Sequence, residues 1–323
     1  MSGAIRRLLQ DRLRSAVPAR VLAGRRAADA GPLLDEAMLR QLMRLRIESG
    51  TSFTEWLTGE HEGRRKTHAI EFEDYRGYAE GDDFRLIDWN AYARLGELFV
   101  KTSVAEETMS IGLLIDCSRS MEWGRPTKLR YAKQLAAALG ALALMHGDRV
   151  QAAGIGEGNA LIGAPLYGPA SVAALSAELE ALPVMGSTDL AGSIASFQQQ
   201  AQLPGLVVVL SDLLAPMTDI GALDFLALQE RSIVVMHIID PAEAAPDLAG
   251  TIELRDRESG ATAIRAVTPD VRRHYIKRFQ ERAAAIESRL AQASIHYIAV
   301  STALAPLDFI GSGLQGEGLV ATV

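Results

Sequence analysis

The sequence predicts an α/β fold: a doubly wound, mainly parallel sheet with helices on both faces, preceded by a helical and loop-rich N-terminal extension. Three observations predict it. Apolar runs rich in Val, Ile and Leu stand at residues 111–115, 206–210 and 233–239, as strands buried on both faces require. Segments of helical period lie between them. Two of the runs end in aspartate, Asp116 and Asp212, at the strand end where such sheets bind ligands.

Each element follows from its own pattern. Residues 33–48 predict a helix, because Leu34, Met38, Leu42 and Leu45 recur at steps of four, four and three. Residues 59–101 are dense in charge, glycine and aromatics and predict long ordered loops, with short strands at 69–72 and 98–103. Five aromatics between Phe72 and Trp89 argue against disorder there. Residues 111–115 are a strand, and 128–146 a helix with Leu129, Ala132, Leu135, Leu139 and Leu142 on one face. Its stretch from Leu135 to Met145 is too short to span a membrane and reads as a buried helix. A strand at 149–155, helices at 172–182 and 190–200, and the strand at 206–210 follow. Then come a helix at 219–229, a strand at 233–239, a long helix marked by Val271, Tyr275, Phe279, Ile286 and Leu290, and a last strand at 295–300.

Composition narrows the function classes. The 323 residues are 48% apolar, enough for a large core. A single cysteine excludes an internal disulfide. The net charge of −7 argues against general nucleic-acid binding. That charge is uneven: residues 1–31 hold seven arginines against Asp11 and Asp29, a net +5 that leaves −12 for the rest. The Arg-rich start reads as a solvated arm, with a membrane-surface helix as the alternative. Without a run of about 18 apolar residues, no transmembrane segment is expected, and the chain is expected to be cytoplasmic.

The chemistry gathers at the strand ends. The first aspartate opens D-x-S-x-S, giving Asp116, Ser118 and Ser120; the second is Asp212. Between them, GSTDLAGSI offers Thr188 and Asp189 just before a helix. Magnesium takes six oxygen ligands and gives up its waters reluctantly. Three hydroxyls and two carboxylates suit it, and alternation turns residues 116, 118 and 120 the same way. The hydroxyls are neutral; if the aspartates act partly through waters, the ion keeps positive character and an open position that a partner's carboxylate can fill. Asp189 reads equally as an outer ligand and as the acidic start of its helix.

DCSRS, GSTD and LSD resemble the metal-ion-dependent adhesion site of von Willebrand factor A (vWA) domains. That resemblance implies Asp116, Ser118, Ser120, Thr188 and Asp212 as ligands of a divalent cation, Mg2+ first, with Mn2+ or Ca2+ as alternatives. A second resemblance lies in EFEDYRGYAEGDDFRLIDWNAYARLGELFVK, which is similar to the signature of the bacterial DUF58 family, whose members join it to a vWA-like domain. Together the resemblances imply an Arg-rich arm at 1–31, an extension at 32–106 packed on the main domain, and a vWA-like domain at 107–323. They also imply a non-enzymatic interaction module, a partner or adaptor of a MoxR-type AAA+ ATPase in a chaperone-like or maturation role.

Other readings are weaker. A magnesium-dependent phosphatase of haloacid-dehalogenase type needs a second carboxylate two residues after Asp116, where this chain has Ser118. There is no G-x-S-x-G elbow and no P-loop. His61, His68, His146, His237, His274 and His296 show no zinc spacing; His237 and His296 are expected in the core. Cys117 points away from the proposed metal face and reads as a small core residue. Asp74, Tyr75, Arg76, Gly81, Asp82, Asp83, Arg85, Asp88, Trp89 and Arg94 read as a self-satisfied loop cluster of Asp–Arg pairs and aromatic anchors, with a partner-binding surface as the alternative. Arg64, Arg65 and Lys66 read as a solvated basic loop.

Overall fold

The computed structural model describes residues 31–49, 74–78, 89–102, 109–200, 205–227, 232–256 and 260–313. Residues 1–30 of the arm, the basic run at Arg64, Arg65 and Lys66, the strand expected at 69–72, and Gly81, Asp82, Asp83, Arg85 and Asp88 lie outside the described residues.

The chain opens with α1 (Glu36–Ser49), then β1 (Asp74–Gly77), α2 (Trp89–Leu95) and β2 (Phe99–Thr102). β1 and β2 pair antiparallel as a separate two-stranded sheet. The main sheet follows: β3 (Ser110–Asp116), α3 (Lys128–Met145), β4 (Arg149–Gly156), β5 (Asn159–Ile162), β6 (Leu166–Tyr167), α4 (Val172–Ala181), α5 (Leu190–Gln200) and β7 (Gly205–Ser211). After it come α6 (Met217–Ile220), α7 (Leu223–Ala227), β8 (Ser232–Ile239), α8 (Pro241–Ala244), β9 (Gly250–Arg255), β10 (Thr262–Val267), α9 (Pro269–Gln292), β11 (His296–Ser301) and α10 (Pro306–Asp308).

The strands run in the order β11-β8-β7-β3-β4-β5, with β6 also on β4. β11, β8, β7, β3 and β4 are mutually parallel; β5 and β6 pair antiparallel with β4. The expected parallel sheet is therefore present, with two antiparallel edge strands added. Alternation along the strands divides the core in two. Ile111, Leu113, Ile115, Leu206, Val208, Leu210, Val234 and Met236 face α3, α4 and the buried leucines of the N-terminal segment, Leu33, Leu34 and Leu42. Leu114, Val207, Val209, Ile233 and Val235 face Leu190, Ile194 and Phe197 of α5 and Ile286 and Leu290 of α9. Helices thus cover both faces.

α3 is buried along its whole length, because the sheet, α4, α1 and α10 surround it. Its central Gly140 is dictated by that packing: a Cβ there would stand 2.4 Å from Leu175 Cδ2 and 3.0 Å from Leu113 Cδ1. The helix expected at 219–229 is instead two short ones, α6 and α7, separated at Gly221 and Ala222. β9 and β10 form an antiparallel hairpin apart from the main sheet, which its mostly exposed alternation left unmarked in the sequence. Among the described residues, no helix is long and apolar enough to cross a membrane.

Candidate metal centre

From β3 the chain moves outward to β4, then returns to lay β7 on the other flank of β3. This reversal opens a crevice between the carboxyl ends of β3 and β7, the place where open α/β sheets bind ligands. Asp116 ends β3, and Asp212 directly follows the neighbouring β7. Both are almost fully buried, each 2% exposed.

Asp116 is held by neutral donors. Its Oδ1 accepts the Ser118 amide at 3.0 Å, and its Oδ2 accepts the Ser211 hydroxyl at 2.5 Å. Burial, and then the charge of Asp212, push its pKa up to about 6. Among the described residues, its hydrogen-bond donors are neutral, so no cationic side chain offsets its burial. Ser118 and Ser120 face each other, Oγ to Oγ at 3.0 Å, so the two hydroxyls share one side of the loop. Between them Arg119 begins a short 3-10 turn, Arg119–Glu122.

The loop bearing Thr188 lies against this one. Met185 donates its amide to the Cys117 carbonyl at 2.6 Å, Arg119 donates to Gly186 at 3.1 Å, and Glu157 donates to Ser187 at 2.9 Å. Lys133 of α3 fixes the start of that loop by donating to the carbonyls of Glu180 and Leu182, at 3.1 and 2.7 Å. Thr188 is half-buried at the loop's end. Asp189 caps α5, its Oδ1 accepting the Gly192 amide at 2.8 Å; of its two readings, the helix start is the one its contacts describe.

Asp212 differs from Asp116 in one respect. Its Oδ2 accepts a hydrogen bond from Lys128 Nζ at 2.7 Å, and its Oδ1 accepts the Leu214 amide at 3.2 Å. The same ammonium donates to both oxygens of Glu243, at 2.9 and 3.1 Å. The Lys128 side chain is wholly buried. Burial works to lower its pKa, but Asp212 and Glu243 outweigh it and leave the value raised, so the ammonium stays charged. The following Leu213, also buried, has φ +50°, a left-handed conformation uncommon for a branched residue.

A third carboxylate continues the row. Asp240 follows β8, accepts the Ala242 amide at 2.8 Å and the Thr302 hydroxyl at 3.2 Å, and is 6% exposed. Gly124, at φ +96°, lets the loop after the D-x-S-x-S motif pass beside it: a Cβ there would lie 2.6 Å from Asp240 Oδ2. Asp240 is not among the site residues expected from the sequence. The signal for Asp240 was present, because it ends an apolar strand as the other two do. Lys128 and Glu243 carried no local signal.

The remaining sites fall as follows. Cys117 is buried, its Sγ 3.4 Å from the Ile115 carbonyl, and burial followed by the charge of Asp116 pushes its pKa up to about 12. His237 is a core residue paired through Nδ1 with the Tyr297 hydroxyl at 2.7 Å. Burial brings its pKa down to about 4. His296 is half-buried in β11.

The donor set suits a hard divalent cation. Among the described residues, Asp116 is a buried carboxylate without a cationic partner, two hydroxyls converge beside it, and the Thr188 loop is tied to theirs.

Comparison with known proteins adds a family and a set of neighbours. The family model described as "Protein of unknown function DUF58" matches residues 74–285. Uncharacterized proteins of Mycobacterium tuberculosis and Mycobacterium bovis are 27% identical over 222 residues, covering 67% of this chain and 69% of theirs. Among solved structures, the conserved hypothetical protein BatB from Bacteroides thetaiotaomicron is 17% identical, with a TM-score of 0.43, covering 65% of this chain and 97% of that one. The SpRpn10 VWA domain is 14% identical, with a TM-score of 0.38, covering 66% and 100%.

Proposed function

The chain belongs to the DUF58 family, and from that premise we propose that it is a non-enzymatic interaction module that binds a partner protein through a divalent cation. Asp116, Ser118, Ser120 and Thr188 would hold the ion, with Asp212 the second carboxylate facing it across the crevice. One observation carries this reading: Asp116 is buried among neutral donors beside a second carboxylate, with no cationic side chain among the described residues paired to it. A buried anion is costly unless something neutralises it.

A bound divalent cation supplies an electrophilic centre with a coordination position for a carboxylate from another protein. The chain's own residues supply the rest. Ser211 and the Ser118 amide orient Asp116, and Lys133 pins the Thr188 loop. The chemistry of a phosphatase is not provided for, because the residue two beyond Asp116 is Ser118, which cannot serve as an acid/base carboxylate. The partner is a MoxR-type AAA+ ATPase or an acidic segment of its client, a reading supported by the family resemblance, in the cytoplasm.

The test is a pull-down with a MoxR-type AAA+ ATPase from the same organism, in Mg2+ and in EDTA. Capture in Mg2+ that falls at least tenfold in EDTA, and falls equally in Asp116→Ala, is the expected result. Capture indifferent to both sinks the metal-docking reading.

A further inference from the structure

We propose that Lys128 is a built-in cation that satisfies Asp212 and Glu243 and withholds Asp212 from direct metal ligation. An entering ion would then bind on the Asp116, Ser118 and Ser120 side. This rests on the metal-site reading above and deepens it.

The two strand-end carboxylates are not equivalent. Among the described residues, Asp116 meets neutral donors, chiefly the Ser118 amide and the Ser211 hydroxyl. Asp212 meets a full ammonium at 2.7 Å, on a side chain with no solvent exposure, while its other oxygen takes the Leu214 amide. Each Asp212 oxygen keeps a lone pair, but the ammonium offsets the charge that would attract a metal. The third contact is Glu243, whose two oxygens both reach Nζ within 3.1 Å, so all three ammonium protons have carboxylate acceptors.

The position of Lys128 argues that it serves the site rather than its helix. It is the first residue of α3, directly after the Thr127 cap. A positive charge at a helix N-terminus opposes the macrodipole. The helix therefore gains nothing from a lysine there, while the carboxylate crevice gains a fixed counter-charge. The lysine also ties β7 to the segment after β8, since Asp212 and Glu243 lie 84 and 115 residues from it in sequence.

The experiment measures Mn2+ binding by calorimetry and electron paramagnetic resonance on the full chain. Lys128→Met keeps the stem and removes the charge; Lys128→Met with Glu243→Gln also removes the acid left unpaired. Both are expected to bind Mn2+ at least tenfold more tightly than wild type, about 1.4 kcal/mol, and to show a larger rise in melting temperature on adding Mn2+. If wild type binds and the variants bind equally or more weakly, Lys128 does not withhold Asp212 and the proposal is overturned. If neither wild type nor variants bind Mn2+, the metal-site reading itself fails. A measurement on wild type needs no substitution. With 15N-labelled lysine, the Lys128 ammonium signal should persist under saturating Mg2+. A shift to the free-lysine position would mean the metal displaces the ammonium, which overturns the proposal.

Discussion

Replacing Asp116 by Asn should make the metal-free protein more stable while abolishing its response to divalent cation. The carboxyl sits at a pKa of about 6 against an ordinary 3.8, raised first by burial and then by Asp212. That difference corresponds to about 3 kcal/mol held against the charged, metal-free fold. The sign follows from proton linkage. A carboxyl whose pKa is raised on folding favours the fold at low pH, and that contribution is lost as pH rises from about 4 through about 6. Asparagine removes the charge and can still accept the Ser118 amide through its oxygen. Its amide nitrogen cannot accept the Ser211 hydroxyl, which costs about 1 kcal/mol. The net expectation is about 2 kcal/mol of stabilisation in EDTA at pH 8, or a melting temperature higher by about 4–8 °C for a domain of this size. At pH 4 the gain should vanish, because wild-type Asp116 is then protonated in the fold. Thermal and urea unfolding in EDTA at both pH values, repeated with Mn2+, measure all three terms. Asp116→Asn less stable than wild type in EDTA at pH 8, or equally stabilised by Mn2+, refutes the reasoning. A stabilised but inactive variant is the usual mark of a site kept at a cost to the fold.

Two further predictions test neighbouring groups. Burial lowers the His237 pKa to about 4 from an ordinary 6.5, so its neutral form supports the fold above pH 6.5, and about 3 kcal/mol is lost as pH falls toward 4. Between pH 4 and 6 this opposes the Asp116 effect. Relative to wild type, His237→Gln should therefore lose less stability on acidification and Asp116→Asn should lose more, by urea unfolding at pH 4.5 and 7; parallel behaviour of the two variants would contradict the assignment. Cys117, with its pKa pushed to about 12 in a closed core, should react with an aromatic disulfide reagent at pH 8 on the order of a thousandfold more slowly than in denaturant. Comparable rates would show that the thiol is open to solvent.

Much of the fold was legible because its signals are local. A strand buried on both faces must be apolar throughout, so 206–210 and 233–239 announced themselves, and a helix covered on all sides did the same at 128–146. The helix at 190–200 emerged with the expected bounds. Where burial is one-sided or absent the pattern thinned: β5, β6 and the β9–β10 hairpin are short or exposed and left no clear period. Residues 219–229 carried helical period but break at Gly221, whose neighbours Ile220, Ala222 and Leu223 are all buried against the sheet.

The sequence by itself determined the alternation of strands and helices, the aspartates at the carboxyl end of β3 and just after β7, the D-x-S-x-S loop between β3 and α3, and the serine that stands where a phosphatase of haloacid-dehalogenase type has its second carboxylate. Each is a matter of residue type at short spacing, which periodicity and turn chemistry can read. Only the tertiary structure decided that β7 returns to the flank of β3 and sets Asp212 beside Asp116 at the reversal. It alone decided that Lys128, a residue the period assigns merely to the start of a helix, is the buried cation between Asp212 and Glu243. The reason is distance along the chain: partners 84 and 115 residues away are chosen by strand order and by the energy of leaving no buried charge unpaired, and neither leaves a mark on local sequence.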